Sequence, residues 1–78
     1  MSPKEIAQRY EAKIFETPEA AEAAGFVLTE RMAPRNTWNK TSATHAIIAK
    51  LVERKRKGQA SEIGIVLDSS SVTGCYKE

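Results

Sequence analysis

The segment Glu62 to Asp68, reading Glu-Ile-Gly-Ile-Val-Leu-Asp, constrains the fold of this chain more than any other stretch. Ile63, Ile65 and Leu67 fall on one face of an extended backbone and Val66 on the other, which is the period of a strand. A strand must find partners for its backbone N–H and C=O groups. The next residues supply one: Ser69, Ser70 and Ser71 form a turn, and Val72 to Tyr76 can return as a second strand.

The hairpin needs an apolar cover, and the segment before it provides a helix. Thr41 or Ser42 can cap that helix, and Gly58 follows its end at Lys57. Ile47, Ile48, Leu51 and Val52 make a clean apolar stripe along it. Residues 33–42 are rich in turn formers and read as a loop.

Two further helix starts lie upstream. Ser2 can cap, Pro3 suits the first helical position and Glu5 completes a capping box. Ile6, Tyr10 and Ile14 recur at helical spacing, so a helix is expected over residues 3–14, with a strand over 9–15 as the alternative. Thr17-Pro18-Glu19 repeats the start signal, four alanines favour a short helix and Gly25 supplies its stop. Phe26 to Thr29 reads as a strand. The expected architecture is α+β in the order ααβαββ: a short antiparallel sheet with helices packed on one face, in a single small globular domain over residues 1–78.

Composition limits how such a chain can be stabilised. It has 78 residues, of which 41% are hydrophobic and 28% charged, as in an ordinary globular domain. A chain of this size buries only about 60% of its unfolded surface. Small folds often add a disulfide, a metal or a partner subunit. Cys75 is the one cysteine and His45 the one histidine, thirty positions apart, so neither an internal disulfide nor a metal site is expected. No cofactor motif is present either. That leaves a second copy of the chain, a homodimer, as the remaining device. The charges at Lys4, Glu5, Arg9, Glu11 and Lys13 are incompatible with a signal-peptide core, and no apolar run approaches a membrane span. A cytoplasmic protein with no membrane contact and a reduced Cys75 is the expectation.

The net charge of +2 conceals a strong asymmetry. Residues 1–30 hold three basic and six acidic side chains, residues 31–57 eight and one, and residues 58–78 one and three. The middle segment, at +7 between two acidic flanks, is the clearest functional signal in the chain. Lys50, Arg54 and Lys57 recur at helical spacing, on a face expected to lie away from the apolar stripe. Lys55 and Arg56 widen that face. Arg31, Arg35 and Lys40 precede it, interleaved with Asn36, Trp38 and Asn39. Nucleic-acid binding needs cations for phosphates and aromatic or amide groups for bases. The competing account is structural: cations at a helix C-terminus stabilise it through the macrodipole, and Arg54-Lys55-Arg56-Lys57 can be a solvated helix end. Trp38 can likewise be a stacking platform or a side chain folded back onto the core.

Catalysis finds no support. His45 has no partner with a catalytic signature, and reads as a partly exposed residue at the edge of the apolar stripe. Cys75, in a terminal strand, reads as a small buried apolar residue rather than a reactive thiol or an intersubunit bridge. The serine run lacks a nucleophile motif, and the glycines at 25, 58, 64 and 74 are too scattered for a phosphate loop. The element order is similar to that of a winged helix, in which a recognition helix precedes a hairpin. The similarity extends to no residue, and the strand between the second and third helices departs from it.

The expected function is therefore a non-enzymatic binding or regulatory protein. It would dock through residues 31–57 onto an acidic partner, most simply nucleic acid or a nucleoprotein complex. The alternative is an inhibitor of host machinery of the kind phages and mobile elements encode, anti-CRISPR proteins among them, acting by covering an acidic protein surface. A short chain without motifs is what such an inhibitor would present.

Overall fold

The computed structural model describes residues 2–33, 37–69 and 71–78, apart from the side chains of residues 37–39. The elements run α1 (Pro3–Arg9), β1 (Lys13–Phe15), α2 (Pro18–Ala23), β2 (Val27–Met32), α3 (Thr37–Arg56), β3 (Glu62–Leu67) and β4 (Val72–Lys77). The strands form one sheet in the order β1-β3-β4-β2. The α+β class holds, with helices packed against the sheet.

Local chemistry explains the helix boundaries. The Ser2 hydroxyl accepts from the Glu5 N–H at 3.3 Å and donates to the Glu5 carboxylate at 3.2 Å. The Thr17 hydroxyl accepts from the Ala20 N–H at 3.1 Å. All three helices end in the same way, with a left-handed residue and two closing bonds back into the last turn. Gly25 (φ +87°) and Gly58 (φ +74°) supply it for α2 and α3. At the end of α1 the left-handed residue is Glu11 (φ 57°), with Ala12 N–H donating to the Ala7 carbonyl at 2.8 Å.

That stop corrects the expected first helix. It ends at Arg9 rather than residue 14, and Lys13–Phe15 becomes a strand, the alternative reading of this stretch. Glu11 hides the stop because non-glycine residues seldom adopt this backbone. Strand β1 pairs parallel with β3, Ile14 beside Ile65 and Phe15 beside Val66, so the sheet is mixed rather than wholly antiparallel. The third helix begins at Thr37, not at Thr41 or Ser42, which replaces much of the expected loop with helix. Tertiary packing outweighs propensity here. Thr44 is fully buried, its hydroxyl donates to the Lys40 carbonyl at 2.8 Å, and Ala43 is buried beside it.

The β3–β4 hairpin lies at the centre of the sheet, with Glu62 opposite Lys77 and Leu67 opposite Val72. It is not a wing, so the winged-helix similarity ends at element order. Ile63 and Ile65 join Ile6, Ile47, Ile48, Leu51 and Val72 in the main core beneath α1 and α3. The other sheet face is covered too, which the expectation of helices on one face missed. Val66 and Cys75 pack there with Ala21 of α2 and Phe26, and the Phe15 and Phe26 rings meet edge to face at 5.2 Å. The apolar alternation of β3, with isoleucines on one side and Val66 on the other, thus serves two cores.

Gly74 decides how closely α3 approaches the sheet. A Cβ at this position would lie 2.6 Å from the Thr29 hydroxyl oxygen and 2.7 Å from the Ile47 methyl. Gly74→Ala should therefore push α3 and β2 away from β4, costing about 1–3 kcal/mol as an overpacked core does. An urea melt checks it: an unchanged midpoint would mean that the two neighbours relax without penalty.

Candidate functional site

The basic residues of segment 31–57 do not form one surface. Arg31 lies in β2 opposite Thr73, whose other neighbour across the sheet is Val66. Its side chain therefore projects from the face opposite α3, although it is exposed. Lys40 is half-buried, and its ammonium donates to the Asp68 carbonyl at 2.6 Å, anchoring α3 to the β3–β4 turn. This is a structural use of a residue expected to meet a partner. Arg35, Asn36 and the side chains of Trp38 and Asn39 lie outside the described residues.

The other five cations sit on the second half of α3, where the helix runs beside β4. Lys50 and Arg54 are not directed away from the apolar stripe. They flank it on the side of β2, where Thr29, Glu30, Ile47 and Leu51 complete a shallow cleft. The reason is angular. Residues 50 and 54 each follow a stripe residue by three positions, Ile47 and Leu51, and so stand beside the stripe on the helix surface. The Lys50 ammonium meets both oxygens of Glu30, at 2.7 and 2.8 Å. Both side chains are more than half exposed, so the pair contributes about 0–1 kcal/mol.

Arg54 is half-buried, its guanidinium carbon 4.3 Å from the centre of the Tyr76 ring. Tyr76 was not singled out by the sequence. Its position follows from strand alternation: Val72, Gly74 and Tyr76 share the face under α3, and the missing side chain at Gly74 brings the helix close enough for Arg54 to reach the ring. Lys57 lies 3.8 Å from Glu53, one turn back. Lys55 and Arg56 are exposed, and among the described residues no carboxylate lies within ion-pair distance of either. The last turn of α3 thus presents two adjacent cations that no carboxylate among the described residues pairs with.

The remaining candidates, His45 and Cys75, lie outside the basic end of α3. His45 is exposed and lines a groove between α1 and α3 with Tyr10, Val52, Glu53 and Arg56. Among the described residues no three His, Cys, Asp or Glu side chains are grouped as metal ligands would be. No helix among them is long and apolar enough to cross a membrane. Cys75 is fully buried, and burial pushes its thiol from 9.0 up to about 11. A bridge to a second chain would require the strand to open.

The raised thiol sets a pH dependence. Its neutral form is favoured in the folded chain, so the contribution is complete below about pH 9 and is lost as pH rises toward about 11, where the unfolded chain has already released the proton. Wild type should lose more stability than Cys75→Ala between pH 8 and pH 10.5 in paired urea melts. Equal losses would show that the thiol does not titrate differently in the two states. Compared with protein-family models, with curated proteins and with solved structures, the chain finds no match.

Proposed function

We propose that this chain is a small, non-enzymatic cytoplasmic docking protein that engages an acidic partner, most simply nucleic acid, through the basic end of α3. One observation carries the reading. Residues 31–57 hold eight basic side chains against one acidic, and the final helical turn presents Lys55 and Arg56 with no internal counter-ion among the described residues. A macrodipole explains one or two cations at a helix end, each contributing about 0.3–1 kcal/mol. It does not call for four in succession beside Lys50. Cations that a protein leaves unneutralised raise the local concentration of anionic partners and their rate of association.

The proposed docking surface is narrower than segment 31–57. It comprises Lys50, Arg54, Lys55, Arg56 and Lys57 around the end of α3, with Lys50 and Arg54 on the β2 side and Arg56 on the α1 side, whereas Arg31 and Lys40 are turned elsewhere. Titrating labelled single-stranded and duplex oligonucleotides at ~50 mM salt tests the reading, since phosphate binding is strongest at low salt. Measurable binding of either form is the expected result. Its absence, together with a stoichiometric protein partner recovered from a nuclease-treated lysate, would favour the inhibitor of host machinery instead.

A further inference from the structure

We infer that the Arg54–Tyr76 stack is a base-stacking platform, and that the acidic partner is single-stranded rather than duplex nucleic acid. This rests on the proposed nucleic-acid reading and names the partner of the same site. Three features of the β2 flank of α3 support it. The guanidinium carbon lies 4.3 Å from the Tyr76 ring centre, within cation–π distance, and both side chains keep part of their surface exposed. Val27 lies directly across from Tyr76 in the sheet and is half exposed, extending the platform with an apolar step at the sheet edge. Lys50 and Lys57 stand on either side of Arg54 along the helix, their side chains about three-fifths exposed.

That arrangement sets a guanidinium and an aromatic ring, with an apolar neighbour, between two ammonium groups. A single strand carries flat bases that every planar side chain can stack against, with phosphates spaced on either side for ammonium groups. A duplex keeps its base faces in the stack and offers phosphates and groove edges, neither of which can stack on a guanidinium held against a tyrosine. Arginine is also suited to the role where lysine is not, because its guanidinium is planar and weakly hydrated. Glu30 and Glu53 hold Lys50 and Lys57 in place in the free protein by exposed contacts that a phosphate can replace at little cost.

The test compares three labelled probes of equal length and charge per strand: a mixed-sequence single strand, the same strand with abasic sites throughout, and the duplex. Wild type should bind the base-bearing strand about five- to a hundredfold more tightly than the abasic one, the range expected of one stacked base. Arg54→Lys keeps the charge and removes the plane. It should bring the base-bearing strand down to the abasic affinity while leaving the abasic affinity unchanged. Equal binding of base-bearing and abasic strands by wild type would overturn the platform and leave the phosphate-binding reading standing. An undiminished preference in Arg54→Lys would also overturn it, by placing the stacking elsewhere. No binding of any probe would overturn both.

Discussion

Leu51→Ala is expected to lower the stability of this chain by about 2–5 kcal/mol, the range for deleting a buried leucine and leaving its cavity. Leu51 is 3% exposed, and it sits at the centre of the contact between α3 and the sheet. Its neighbours include Ile47 and Ile48 on the same helix and Ile63 and Ile65 beneath, and its own methyl lies 3.5 Å from where a Cβ on Gly74 would stand. The site cannot collapse easily, because Gly74 has no side chain to fill it and the strand below is held on both sides. A small domain has a total stability of a few kcal/mol, so the loss approaches the whole. The variant should be largely unfolded at 37 °C in circular dichroism. A cooperative melt within a few degrees of wild type would show that α3 contributes less to the core than its burial implies.

Lys55→Glu/Arg56→Glu is the converse experiment, with a large effect on binding and a small one on folding. Both side chains are exposed and neither has an ion-pair partner among the described residues. Their replacement removes macrodipole stabilisation of about 0.3–1 kcal/mol each and introduces a repulsion of similar size. The two effects at two exposed, salt-screened positions should therefore lower stability by about 1 kcal/mol and by no more than about 4 kcal/mol. Binding should fall more. At ~0.7 per contact, counterion release makes each phosphate contact worth roughly a factor of five at ~0.1 M salt, so losing two lowers affinity about twenty-fivefold. The variant should be compared with wild type by anisotropy and by circular dichroism on the same preparation. A folded variant with unchanged affinity would mean that the end of α3 is solvated surface only.

The contrast between these variants reflects what the sequence could disclose. The β3–β4 hairpin was legible because strand alternation at Ile63, Ile65 and Leu67 is a local signal, and the hairpin pairs within the same short segment. Both Ser/Thr-Pro helix starts were legible for the same reason, as were the glycine stops at Gly25 and Gly58. Strand β1 was not. Ile6, Tyr10 and Ile14 have helical spacing, and only the left-handed backbone of Glu11, set by the fold around it, ends the helix between them. The start of α3 was also hidden, since residues 37–42 are turn formers by type and become helical with Ala43 and Thr44 buried against the rest of the fold.

The candidate site divides along the same line. Charge asymmetry is a property of composition and could be counted. Which cations remain free is a property of the fold. Lys40 is taken by the Asp68 carbonyl, 28 residues away, and Lys50 by Glu30, 20 residues away. Tyr76 becomes part of the basic surface only because the glycine two positions earlier lets the helix approach β4. None of these pairings is written in local spacing; the place of Lys50 and Arg54 beside the stripe is, since each follows a stripe residue by three positions, and the expectation that they face away misread that spacing.

The salt dependence of binding tests the central claim, that the basic end of α3 docks on an anionic partner, most directly. Affinity for a labelled single strand should be measured between ~50 and ~200 mM salt. If four of the five cations from Lys50 to Lys57 meet phosphates, the logarithm of the association constant should fall with the logarithm of salt with a slope near about −3, at ~0.7 per contact. In Lys55→Glu/Arg56→Glu the slope should flatten to about half that value. Binding that is tight but indifferent to salt, or a slope that the double variant leaves unchanged, would contradict the claim.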